Sequence, residues 1–208
     1  MRTLAFASGP GPGGFGFAAC GAGGGGAAPP AGYDTDWVSP SSVTPLTVAG
    51  DSPAGTINLS QGSVDNVLLS DDARTSVGKS AGNTNTVRCF YDLGALPDSG
   101  TISKISVRIE KFNSNGGYAD LALYLITANA GATSDRLGPN KASAAAWPGS
   151  DGSGSTSEAY VVYEWTGADL AGITLAALNA LAGTDYRFNR ASGSGGIDHI
   201  QIRIEGMA

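Results

Sequence analysis

The stretch Thr101 to Phe112, Thr-Ile-Ser-Lys-Ile-Ser-Val-Arg-Ile-Glu-Lys-Phe, constrains this chain more than any other. Ile105, Val107 and Ile109 fall on one side of an extended backbone; Lys104, Ser106, Arg108 and Glu110 fall on the other. A period of two with β-branched residues on the apolar side defines a β-strand with one dry face. One strand cannot bury its own dry face, so further strands must close a core over it.

The rest of the chain supplies them. Asn85 to Leu93 alternates with Val87, Cys89, Tyr91 and Leu93 on one face, and Arg88 and Asp92 on the other. Leu96-Pro97-Asp98-Ser99-Gly100 reads as a turn into the organising strand. Ala119 to Thr127 returns beside that strand after a polar turn at Asn113 to Gly117, with Leu121, Leu123 and Leu125 expected inward. Its second face, Ala122, Tyr124 and Ile126, is almost as apolar and predicts a covered strand. Tyr160 to Trp165, Asp185 to Asn189 and Ile197 to Glu205 complete the clear strands. In the last, Ile200, Ile202 and Ile204 point inward and His199 is expected on the solvent face. Leu46 to Val48, Thr56 to Leu59 and Val64 to Ser70 are shorter strand candidates. One helix is expected, with Thr174 as N-cap, Leu175, Leu178 and Leu181 at helical spacing and Gly183 at the C-terminal cap. Eight or more short strands, one short helix and turn-rich connections predict an all-β fold, an antiparallel β-sandwich of jelly-roll type.

Two regions are expected. Residues 33–208 form the sandwich, opened by Tyr33-Asp34-Thr35-Asp36-Trp37, with Trp37 expected to plug an edge of the core. Residues 1–32 form an extended arm with 11 glycines and Arg2 as its single charged side chain. Such a segment has too little side chain for a core of its own. Leu4, Phe6, Phe15 and Phe17 are the beads by which it would grip a partner, with glycines letting the backbone lie flat. Phe17-Ala18-Ala19-Cys20-Gly21 has the look of a lipoprotein cleavage box, but Gly9 to Gly14 interrupts the apolar stretch ahead of it and disfavours that reading; an assembly arm is preferred over a flexible linker.

Composition narrows the function classes. Charged residues make up 14% of the chain and the net charge is −6, which disfavours nucleic-acid binding. No apolar run is long enough to span a bilayer. Cys20 and Cys89 make no disulfide framework; Cys89 is expected to be a buried apolar residue and a bridge to Cys20 is disfavoured. No metal site or cofactor is expected. A single His without Cys neighbours argues against zinc, and Asp71-Asp72 with Asp65 matches no calcium loop. No catalytic residues are assigned. Glu110 and Glu164 lie on strands and could meet across a face, but neither a nucleophile elbow nor a Ser/His/Asp constellation is readable. Trp147, Tyr160 and Tyr163 are candidate glycan contacts, weighed against Tyr163 and Trp165 as core and Trp147 as a loop plug.

The order of segments adds one comparison. Ser70-Asp71-Asp72-Ala73, then Thr86 to Leu93, Leu96 to Ile102 and Ile105-Ser106-Val107-Arg108-Ile109-Glu110, later Trp147-Pro148, Tyr163-Glu164-Trp165-Thr166, the helix, and Gly196-Ile197-Asp198-His199-Ile200-Gln201-Ile202 run in sequence. This order resembles a jelly-roll domain that recurs in virion structural proteins of tailed bacteriophages. The likeness spans about residues 64 to 206 and leaves out the arm. It implies a structural or attachment role in a virion without catalysis. The arm would dock on capsid, neck or tail proteins, and the sandwich, repeated as a homo-oligomer, would project as a decoration or spike. The alternative expectation is a carbohydrate-binding module or host-surface adhesin.

Overall fold

The computed structural model describes residues 31–45, 59–61, 67–68, 75–77, 84–113, 117–127, 135–142, 147–148, 158–190 and 195–208. Leu4, Phe6, Phe15, Phe17, Cys20, Leu46 to Val48, Asp65, Asp71 and Asp72 lie outside them. The strands are β1 (Gly32–Asp34), β2 (Ser42–Pro45), β3 (Leu59–Gln61), β4 (Thr75–Val77), β5 (Thr84–Tyr91), β6 (Thr101–Asn113), β7 (Tyr118–Ile126), β8 (Arg136–Leu137), β9 (Ala159–Thr166), β10 (Ala182–Arg190) and β11 (Gly195–Met207), with helix α1 at Leu175–Ala180.

They make two antiparallel sheets. One has the order β3-β4-β11-β6-β9, with β1 also paired to β11; the other runs β2-β5-β10-β7-β8. From β4 to β7 successive strands alternate between the sheets, as do β9, β10 and β11. The inner faces meet in one core. Ile105, Val107 and Ile109 of β6, Ile200, Ile202 and Ile204 of β11, and Tyr163 and Trp165 of β9 face Val87, Cys89, Leu123, Leu125, Tyr186 and Phe188 of the other sheet. The organising strand β6 lies between β11 and β9, and β7, expected to return beside it, crosses instead to the other sheet and pairs with β10 and β8.

α1 closes one side of the core through Leu175 and Leu178, and the Thr174 hydroxyl caps it by accepting from the Ala177 N–H at 3.1 Å. Its C-terminus corrects the sequence reading. The helix stops at Ala180 with Leu181 in an extended conformation, and Gly183 already belongs to β10. A Cβ at Gly183 would sit 2.9 Å from the Cys89 carbonyl oxygen, so glycine is there for strand packing and not for a cap. Val67 and Leu68 lie in a 3-10 turn where a strand was expected, with Val67 fully buried.

A second correction concerns β7. Leu123 and Leu125 are buried, but Leu121 is 41% exposed. Arg187 pairs with Ala122 and Phe188 with Asp120, so Leu121 is the extra residue of a β-bulge. The bulge reverses the phase of the strand and turns Asp120, not Leu121, into the core.

At the far end of β11, Gly206 allows β1 and β6 to approach together; any Cβ there would overlap the Thr101 carbonyl and the Tyr33 ring. Gly206→Ala is expected to destabilise the protein by about 1–3 kcal/mol through overpacking. Thermal unfolding measures the loss, and faster proteolysis near Tyr33 would locate it. An unchanged melting curve would contradict this close approach.

Candidate functional site

The alternation of β6 does not stop at Ile109. It carries Lys111 onto the same inner face, and the bulge in β7 brings Asp120 to meet it from the opposite sheet. Lys111 and Asp120 are buried, with only 2% and 6% exposure. Lys111 Nζ donates to Asp120 Oδ1 at 2.9 Å and Oδ2 at 2.8 Å, and to the Tyr163 hydroxyl at 2.6 Å. Trp147 Nε1 donates to Asp120 Oδ1 at 2.8 Å. The Tyr186 hydroxyl donates to the same Oδ1, and the Tyr163 hydroxyl to Oδ2. Asp120 therefore accepts from four side chains carried by β6, β9, β10 and the segment at Trp147.

The rings do more than donate. Lys111 Nζ lies 5.0, 5.2 and 5.7 Å from the ring centroids of Trp147, Tyr163 and Tyr186, a cation held in an aromatic cage. Trp147 also packs on Tyr118 and Phe188. Burial pushes the Lys111 pKa down against the pull of Asp120. Burial, followed by the Asp120 charge, pushes the Tyr163 and Tyr186 phenols up. Charges withdrawn from water this far persist only when every donor and acceptor is matched, and here they are.

A second cluster lies on the outer face of the six-stranded sheet. Residues 32–38 run along β11, with Val38 bridging to Ile202, before the chain crosses to β2 in the other sheet. Val38 packs on the core, so Trp37 and Ser39 fall on the outer side. Arg108 is stacked between Trp37 and Tyr160, 4.4 Å from each ring centroid. Its Nε donates to Gln201 Oε1 at 2.7 Å. His199 spans Ser39 Oγ and the Tyr160 hydroxyl, each at 3.0 Å. Two expectations are corrected here. Trp37 lies half-buried on the outer face and does not plug the core edge, and His199, only 5% exposed, does not face solvent. The reason is the same: the segment alongside β11 brings side chains over a face that β11 alone would leave wet.

The outer face of the five-stranded sheet carries a third cluster. Asp185, fully buried, accepts from Arg88 Nη2 at 3.4 Å, Arg136 Nε at 3.2 Å and Arg187 Nη2 at 3.2 Å. Arg136 also lies 4.7 Å from the Tyr124 ring centroid.

Of the residues singled out in the sequence, Trp147 is 1% exposed and its indole N–H is engaged by Asp120, so it presents no ring face outward. Tyr160 is half-buried in the Arg108 cluster. Tyr163 and Trp165 are core. Cys89 is a buried thiol beside Thr184 and Tyr91. Glu110 pairs opposite Tyr160, and Glu164 opposite Ser106. Four residues of register separate them along the strands, roughly 13 Å at 3.3 Å per residue. Glu164 instead faces Lys104 Nζ at 3.6 Å. The Lys111–Asp120 centre had half a signal in the sequence: the parity of β6 places Lys111 inward, whereas the bulge that turns Asp120 leaves no mark in the apolar pattern.

No family model matches the chain, and no curated protein matches it. Among solved structures, the K1 cleaved adhesin domain of Lys-gingipain from Porphyromonas gingivalis W83 is similar at 10% sequence identity, covering 86% of this chain and 98% of that one, with a TM-score of 0.33. A likeness of that size carries no functional argument.

Proposed function

We propose that this chain is a non-enzymatic structural protein of a bacteriophage virion, built to dock through the N-terminal arm expected over residues 1–32, of which Ala31 and Gly32 already bond to the sandwich so that 1–30 form the arm, and to project its sandwich from the particle. The observation that carries the reading is the polarity of the sandwich. The glycine-rich segment joins it at Ala31, whose carbonyl accepts from the Ala208 N–H at 2.8 Å, so the arm's junction and the end of β11 share one pole. The end of β6, Pro148 and the start of β11 gather at the opposite pole, where Asn113 N–H donates to the Pro148 carbonyl at 2.9 Å and Gly195 pairs with Asn113. A tether at one pole and the far ends of β6 and β11 at the other suit a body fixed at one end and presented at the other. The segment order that resembles virion jelly rolls supports the same reading. Several copies would be carried, because a docking site on a particle is itself repeated.

Deleting residues 1–30 is expected to leave a body with the same melting temperature that no longer enters particles in a complementation assay. Incorporation at the normal level would sink the docking role.

A second reading, a host-surface or carbohydrate-binding module, rests on Trp37 and Tyr160. These are half-buried rings on one outer face beside polar Arg108 and Gln201, the mixture of flat apolar and hydrogen-bonding groups a sugar ring uses. Glycan-array binding that Trp37→Ala abolishes would favour it; silence of the intact protein on such an array would count against it.

A further inference from the structure

The Lys111–Asp120 centre is arranged for a reaction as well as for a salt bridge. We propose that Lys111 Nζ and Asp120 Cγ condense into an intramolecular amide, a covalent staple between the two sheets. Three features of the geometry carry this.

The nucleophile is in place. Nζ lies 2.9 Å from Oδ1 and 2.8 Å from Oδ2, in contact with both oxygens of the carboxyl group whose carbon it must reach. The backbone that holds the pair is fixed by antiparallel pairing, Lys111 between Ile197 of β11 and Ala159 of β9, and Asp120 opposite Phe188 of β10. Reacting groups held in contact this way gain a large effective concentration.

The two carboxyl oxygens have different partners. Oδ1 receives Trp147 Nε1–H and the Tyr186 hydroxyl, two neutral donors positioned to hold the negative charge that a tetrahedral intermediate places on that oxygen. Oδ2 receives the Tyr163 hydroxyl, whose oxygen also accepts from Nζ at 2.6 Å. Tyr163 thus bridges the nucleophile and the oxygen that must leave, and can take a proton from Nζ while giving its own to Oδ2.

The surroundings are dry. Burial favours the neutral amine over the ammonium, which is the form that attacks.

The step balances. The ion pair passes one proton from Nζ to Oδ2, giving an amine and a carboxylic acid. The Nζ–Cγ bond forms with the negative charge on Oδ1. A second proton moves from Nζ through Tyr163 to Oδ2, the Cγ–Oδ2 bond breaks, and one water leaves. Ammonium and carboxylate become amide and water, with no oxidant, metal or cofactor consumed.

The intact mass of the full-length folded protein tests this directly. One water less than the sequence mass is expected, retained after denaturation. Trypsin should fail to cut after Lys111 and should release Ile109 to Arg136 as a single peptide, lighter by that water. Lys111→Arg should restore the full mass. Tyr163→Phe should slow the appearance of the light species by about 100-fold if the phenol relays the proton. A folded wild-type protein at the full sequence mass, or a water loss located on another peptide, overturns the amide. A Tyr163→Phe variant that condenses at the wild-type rate overturns the relay through Tyr163.

Discussion

Asp120→Ala is expected to lower the unfolding free energy by about 3–5 kcal/mol, the usual consequence of leaving one half of a buried ion pair behind. For a chain of this length that corresponds to a fall in Tm of roughly 6–20 °C, at about 2–4 °C per kcal/mol. The size follows from the contacts. Removing the carboxylate strands the Lys111 ammonium and leaves the Trp147 N–H and the Tyr163 and Tyr186 hydroxyls without their shared acceptor. Lys111→Met should cost less, because the carboxylate it leaves behind still accepts from Trp147, Tyr163 and Tyr186. Asp120→Asn should fall between wild type and alanine, since one amide oxygen can still serve Oδ1's donors. Denaturant unfolding of the three variants checks the order. An Asp120→Ala protein within about 1 kcal/mol of wild type would mean that this centre is not part of the native core. The expectation holds for the ionic pair and the amide alike, because the substitution removes both.

The second large effect is expected at alkaline pH. Burial raises the Cys89 thiol from its ordinary 9.0 to about 12. Burial also raises the Tyr91, Tyr163 and Tyr186 phenols above their ordinary 10.0. Each of these groups loses its proton more readily in the unfolded chain than in the folded one. The stability they contribute is complete below the unfolded pKa, near 9 for the thiol and near 10 for the phenols, and is lost as pH rises toward the folded values. Lys111 has the opposite sign: its folded pKa is depressed, so its contribution is present above the unfolded value of 10.5 and is lost as pH falls through the lowered one. Above about pH 11, where Lys111 is neutral in both states and no longer opposes, the difference approaches four protons, one from Cys89 and three from Tyr91, Tyr163 and Tyr186, which makes the slope about 5 kcal/mol per pH unit. Folded domains hold about 5–15 kcal/mol in all, so cooperative unfolding is expected one to three units above pH 10. Circular dichroism with absorbance at the tyrosinate band measures it. Tyrosines that ionise together with unfolding agree with burial; three core phenols titrating near pH 10 in a chain that stays folded would contradict it. Cys89→Ala should shift the onset upward, because it removes the group that begins to titrate lowest.

The fold was legible where a strand has one dry and one covered or wet face and no interruption. β6 and β11 run as the alternation of Ile105, Val107 and Ile109 and of Ile200, Ile202 and Ile204 requires, and Tyr163, Trp165, Tyr186 and Phe188 all point inward as their parity demands. The Thr174 cap was legible for a similar reason: one hydroxyl and one N–H three residues on decide it locally.

What failed depended on neighbours distant in sequence. Gly183 has the composition of a helix cap, but the space left by Cys89 and Ile126 makes it a strand residue. Leu121 has the parity of a core leucine, but the bulge opposite Arg187 and Phe188 gives its place to Asp120. His199 has the parity of a solvent-facing residue, but Ser39 and Tyr160 come over it from 160 and 39 residues away.

The sequence by itself determined that this chain is a sandwich, and which faces of its long strands are dry, with Ile105, Val107 and Ile109 of β6 and Ile200, Ile202 and Ile204 of β11 turned inward. Those are consequences of a two-residue period, which any extended backbone expresses without help. Only the tertiary structure decided that Asp120 answers Lys111 across the core, with Trp147, Tyr163 and Tyr186 closing around them. A bulge shifts a strand by one residue at no change in composition, and the partners of a buried charge are chosen by which sheet faces which, a property that no local stretch of sequence contains.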